Sequence, residues 1–196
     1  VFRGDKVNNY VKLSKGLFRI VKITSDNKIL LIPEFEEYYS DVWDDRYNAD
    51  MGYSSGINLY RPSRMRDMLA SIYADKLKDF SLLSDNDRQK LSTFSFCIGK
   101  RRAEEENNTG AVECADSLDN QMIGLLTASD YINASIDVNC KNTVSKSCQN
   151  YNYLKIKNTG WWLGTAPSFD TNDVYYVNEN GYLLYSNASS LNIIRP

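Results

Sequence analysis

The chain has 196 residues and a near-even charge balance, 23 Lys plus Arg against 25 Asp plus Glu, which gives no electrostatic reason to expect nucleic acid or an anionic membrane as partner. It contains no histidine, which removes the usual general base, the imidazole-built triads and most zinc sites together. The length suits one filled core, so residues 1–196 are expected to form a single domain, with residues 1–9 a linker from an upstream anchor.

Residues 1–9 are polar and include Arg3-Gly4-Asp5, a tripeptide some integrins read; chance explains it better, since such a tripeptide recurs in unrelated chains. Residues 10–13 and 17–23 are rich in β-branched and aromatic side chains, Ser25-Asp26-Asn27-Lys28 is turn chemistry, and Ile29-Leu30-Leu31-Ile32 returns as a strand closed by Pro33. Residues 17–33 are therefore expected to form a β-hairpin.

Residues 34–60 mix acids and aromatics without a period, among them Phe35, Tyr38, Trp43, Asp44, Asp45 and Asp50, and read as a long structured loop whose acids lack the alternation of a calcium loop. Pro62-Ser63 opens the clearest helix: Met65, Met68, Leu69, Ile72, Tyr73, Leu77 and Phe80 fall on one face, with Asp75, Lys76 and Lys78 mostly on the other. Ser84 caps a second, short helix reaching about Leu91.

Phe94-Ser95-Phe96-Cys97-Ile98 is a strand pattern, and Met122-Ile123-Gly124-Leu125-Leu126 is an apolar run fit for a buried central strand. Thr127-Ala128-Ser129-Asp130 then resembles a capping box that starts a helix. The last quarter reads as β: residues 161–165, 174–178, a tight Asn180-Gly181 turn into 182–185, and a closing strand at 192–195. The cysteines, Cys97, Cys114, Cys140 and Cys148, fall in two local pairs, which suggests 97 with 114 and 140 with 148 among three connectivities, and disulfides imply an oxidising compartment.

No glycine-rich phosphate loop and no base for a cysteine nucleophile is recognisable, so neither a cofactor nor a catalytic role is expected. Binding is better served. The loop 166–173 carries Phe169, Asp170, Asn172 and Asp173 beside aromatic neighbours, a combination that suits sugars or protein surfaces. Alternation lets only one of Trp161 and Trp162 point outward, and Trp162 is the ring assigned to that surface, with Trp43 and Asp45 added from the acidic-aromatic stretch.

The order of motifs carries a resemblance over nearly the whole chain: Asn-Asn-Tyr-Val, Leu-Phe-Arg-Ile-Val-Lys-Ile, Trp-Asp-Asp-Arg-Tyr-Asn, Cys-Ile-Gly-Lys-Arg, Ile-Gly-Leu-Leu-Thr-Ala-Ser-Asp-Tyr, Trp-Trp-Leu and Ile-Ile-Arg-Pro. Together they resemble surface domains of Gram-positive bacteria that look like a divergent branch of the C-type-lectin-like fold, akin to formylglycine-generating enzymes and often set behind a pilin-like or single-span anchor. The resemblance implies an α+β domain, stapled by disulfides, in which the N- and C-terminal strands pair, two or three helices flank an antiparallel sheet, and a loop-rich half displays a ligand surface. It implies an extracellular binding or adhesion domain, at the cell surface or a pilus, that holds a protein or glycan without catalysis and meets a membrane only through an anchor outside the chain. The globular head of a pilin or pseudopilin is the first alternative, and an enzyme of unknown reaction the second.

Overall fold

In the computed structural model the described residues are 2–13, 16–34, 39–71 and 83–195. Ile72, Tyr73, Asp75, Lys76, Lys78, Leu77 and Phe80 of the expected first helix lie outside them, as do Phe35, Tyr38 and Pro196.

The expected N-terminal hairpin is present, with a third strand beside it. Strands β1 (Tyr10–Leu13), β2 (Gly16–Ile23) and β3 (Ile29–Pro33) make an antiparallel sheet in that order. Thr24 closes its turn by donating to Asp26 at 2.6 Å and accepting the Lys28 amide at 3.0 Å, while Asn27 takes the positive φ of 62° that asparagine tolerates.

A second sheet of five strands carries the core, in the order β4 (Tyr39–Val42), β10 (Leu191–Ile194), β7 (Trp161–Trp162), β8 (Asp173–Val177), β9 (Leu183–Asn187). A third, two-stranded ladder pairs β5 (Phe94–Cys97) with β6 (Ser117–Gln121). Among the described residues the α-helices are α1 (Arg64–Ser71), α2 (Asp85–Arg88) and α3 (Ala128–Asn133). The architecture is α+β, as expected.

The middle strand of the large sheet is β7, and it joins two cores. Trp161 packs on one face with Val21 and Ile32 of the first sheet, Tyr131 of α3, and Tyr175 and Val177 of β8. Trp162 packs on the other face with Trp43, with Met65 and Leu69 of α1, and with Phe96, Val174 and Ile194. Adjacent residues of a strand point to opposite faces, so a sheet covered on both sides buries both indoles, and both are 0% exposed. At about 25 cal/mol per Å2, each ring is worth roughly 4–6 kcal/mol of transfer free energy as an upper figure.

Several expectations are corrected. Residues 39–42 form a strand where a loop was expected, because the β10 backbone offers them a partner in register from Val42 opposite Leu191 to Tyr39 opposite Ile194. The apolar run 122–126 is not a strand. Gly124 passes under the Phe96 ring, where an added Cβ would lie 2.3 Å from Phe96 Cε2, and Leu125 and Leu126 drop into different cores. The polar 117–121 segment pairs with β5 instead. The Asn180-Gly181 turn is a five-residue loop organised by Asn178, whose Oδ1 accepts from the amides of Asn180 at 3.0 Å and Tyr182 at 2.9 Å, with only Gly181 at positive φ. The terminal strands do not pair either. β10 runs parallel to β7 and antiparallel to β4, and Arg195 ties it to the first sheet through the Pro33 carbonyl and Glu34.

The helix signals hold where they are described. Thr127 and Asp130 make the reciprocal capping box of α3, and Ser84 accepts the Asp87 amide at the start of α2. Lys22 of β2 reaches Asp130 at 2.6 Å, which joins the first sheet to α3. The disulfides are Cys97–Cys114 and Cys140–Cys148, the local pairing. Arg3-Gly4-Asp5 is not a free tip: Gly4 is buried, donates to the Ala134 carbonyl and accepts from Tyr153, and Arg3 donates to Ser135. Among the described residues no helix is long and apolar enough to cross a membrane.

Candidate ligand-binding surface

The 166–173 loop leaves β7 and is held at three points. Its first residues run beside Arg101, whose amide donates to the Ala166 carbonyl and whose carbonyl accepts from Ser168. Arg101 itself is fully buried. It pairs with Glu113 at 3.2 Å and donates to Ser129 at 2.9 Å, so the first disulfide loop, α3 and the 166–173 loop share one anchor. A buried pair of this kind is costly to break from one side, because the remaining charge has no solvent.

The second and third points are two buried asparagines from the 46–60 segment. Asn48 donates to the Gly56 carbonyl at 2.8 Å and to Thr171 at 3.2 Å. Asn58 donates to the Asp170 carbonyl and carboxylate at 3.2 and 3.1 Å and to the Asp173 carbonyl at 2.9 Å, while its own amide donates to the Thr171 carbonyl. Between them, Gly56 at φ 80° passes so close to the main chain that an added Cβ would lie 2.0 Å from the Asp44 carbonyl oxygen. Only glycine fits there. The two stretches on which sequence reasoning placed recognition are thus sewn into one edge.

Its centre is Asp170. The carboxylate folds back to accept from the amides of Asn172 at 3.2 Å and Asp173 at 2.9 Å, and the Lys100 ammonium approaches the Asp170 carbonyl at 3.2 Å. Burial and the neighbouring Asp170 carboxylate push the Asp173 carboxyl up to about 6. Burial lowers the Lys100 ammonium, against the pull of Asp170. Phe169 is 54% exposed and stands edge-on to Tyr185 at 5.1 Å, and Tyr47 and Tyr53 are exposed on the adjoining segment. The surface therefore offers ring faces next to carboxylates, suited to hydroxyl or amide donors carried on an apolar body.

Of the residues assigned from sequence, Phe169, Asp170 and Asp173 meet here. Asn172 belongs to the same loop but is buried, its carbonyl accepting from Ala188. Trp162 and Trp43 are fully buried in one core, and Trp162 donates its indole N–H to the Asp41 carbonyl at 3.1 Å, so neither presents a ring to a ligand. Asp45 is engaged with Arg64 at 2.7 Å. Asn48, Asn58, Lys100 and Tyr185 were missed, since a single asparagine or lysine in an aperiodic stretch carries no sequence signal. The Asp170 Oδ1 accepts from the Asn58 side chain and the Asn172 and Asp173 amides, while Lys100 holds the Asp170 main-chain carbonyl. The Asp137, Cys140 and Cys148 cluster is closed to a metal, its sulfurs in the disulfide and Asp137 accepting from the amides of Asn139 and Gln149.

Comparison with known proteins gives no relative. No family model matches the chain, and neither a curated protein nor a solved structure is significantly similar to it.

Proposed function

We propose that this chain is a non-catalytic recognition domain that works outside the cytoplasm, displayed on a cell surface or pilus, and holds a glycan or protein ligand against the Phe169, Asp170 and Asp173 edge. The observation that carries the reading is the double stitching of the 166–173 loop by Asn48 and Asn58, which fixes exposed rings beside carboxylates before any ligand arrives. A preordered loop loses less conformational entropy on binding. The two disulfides suit an oxidising compartment, and the motif order described above supports a surface-domain relationship.

The test is a screen of the purified chain on glycan and protein arrays, with Phe169→Ala and Asp170→Asn alongside. A hit that weakens about tenfold or more in either variant is the expected result. Hits indifferent to both variants would refute this surface. A chain that binds nothing and assembles into filaments would give way to the pilin-head reading.

A further inference from the structure

A recess separate from that edge opens between the second disulfide loop and β9. Tyr131 and Ile132 of α3 form its floor, Val144 and the Cys140–Cys148 bridge one wall, and Tyr182 and Leu184 the other, around about 170 Å3. The Tyr131 hydroxyl is turned away to the Gly181 carbonyl at 2.8 Å, so the floor shows carbon. A cavity of about 150 Å3 holds one benzene ring, so the recess has room for a single ring or a branched alkyl group.

Lysines outnumber acids in the segment that forms its disulfide wall, although the chain as a whole is slightly acidic. From Asp137 to Phe169 the sequence places Lys141, Lys146, Lys155 and Lys157 against one acid, Asp137, whose carboxylate lies beside the Cys140–Cys148 sulfurs and accepts from the Asn139 and Gln149 amides. All four lysines are exposed, and none takes part in an ion pair among the described residues. Lys146 lines the recess, and the Lys155 stem lies along the turn next to Tyr182, where a Cβ on Gly181 would lie 2.9 Å from Lys155 Cδ. An apolar slot lined by Lys146, which has no ion-pair partner among the described residues, favours an anion that carries an apolar body.

We propose that this recess binds a small organic carboxylate with a ring-sized apolar group, the group seated between Val144 and Leu184 and the carboxylate at the rim by Lys146. That chemistry occurs in free aryl-alkyl carboxylates and at the C-terminus of a peptide ending in Phe, where side chain and carboxylate sit together. The site is independent of the Phe169 edge.

The test titrates the disulfide-intact chain, followed by amide and methyl NMR shifts, with 3-phenylpropionate, the matched neutral 3-phenylpropanol, and a short peptide ending in Phe as free acid or amide. The carboxylates are expected to bind with a Kd on the order of millimolar, to shift Ile132 and Leu183, and to weaken about fivefold in Lys146→Ala and below detection in Val144→Trp, which fills the slot from an exposed position. Phe169→Ala should leave this binding unchanged, which separates it from the surface reading. A peptide acid at least about tenfold tighter than phenylpropionate points to a peptide end, and parity to a free anion. Equal binding of the alcohol, or shifts confined to lysines with Ile132 and Leu183 still, would overturn the proposal.

Discussion

Asn58 holds Asp170 twice, through its main-chain carbonyl at 3.2 Å and its carboxylate at 3.1 Å, and extends the same amide nitrogen to the Asp173 carbonyl at 2.9 Å. One side chain thereby fixes both ends of the Asp170–Asp173 turn. Asn58→Ala should cost about 2–3 kcal/mol, since buried acceptors lose their donor, and lower the melting temperature by roughly 4–10 °C. Loss of amide exchange protection at Asn172 and Asp173 should accompany it. A variant that melts within a degree of wild type would show that the stitch carries little.

Much of the scaffold was readable because its signals are local: the Thr127 and Asp130 cap, the Ser84 cap and the cysteine spacing. The failures are tertiary. Strict alternation correctly sends Trp161 and Trp162 to opposite faces, but whether the second face is wet depends on whether α1 and Phe96 arrive to cover it. Nothing within the strand encodes that. The run 122–126 has strand composition, and what unmakes it is the approach of one ring, Phe96, to Gly124. The candidate edge was half readable, through Phe169, Asp170 and Asp173, while its stitches are asparagines more than a hundred residues away in sequence, Asn58 from Asp170 by 112.

The two tryptophans should behave alike in stability and differ from Phe169. Trp161→Ala and Trp162→Ala each remove a fully buried indole and should cost about 3–5 kcal/mol in urea unfolding. Phe169→Ala, at an exposed ring, should change stability by no more than about 0.5 kcal/mol. Should Trp162→Ala prove as mild as Phe169→Ala, the two-core architecture would be wrong on that face.

Loop-closure entropy ranks the disulfides. The Cys97–Cys114 bridge spans 17 residues and Cys140–Cys148 spans 8, so replacing each pair with serine should cost about 3 and about 2.5 kcal/mol respectively. Denaturant midpoints of the two double variants, each compared with wild type, measure this. The second replacement carries an added expectation: it frees a wall of the recess under Val144, and phenylpropionate binding should weaken with it.

Asp173 gives the chain a pH dependence of defined sign. Its carboxyl stands at about 6 in the fold, raised by burial first and by the Asp170 charge second, against 3.8 in the unfolded chain. The folded state therefore holds a proton the unfolded state has released between those values, so the group's stabilisation is complete below about 3.8 and is lost as pH rises through about 6. Asp26, held down to about 2 by Thr24 and Lys28, acts in the opposite sense, but only as pH falls below 3.8. The Asp173→Asn variant isolates the contribution of Asp173 between about 4 and 6. At pH 7.5 that variant should be more stable than wild type by about 1 kcal/mol, a figure reduced for the partial solvent exposure of the carboxyl, or roughly 2–4 °C in melting temperature. At pH 4 the advantage should vanish, because wild-type Asp173 is then protonated and neutral as well. Melting curves of both proteins from pH 4 to 7.5 decide it, and a difference independent of pH would mean that Asp173 does not titrate in this range.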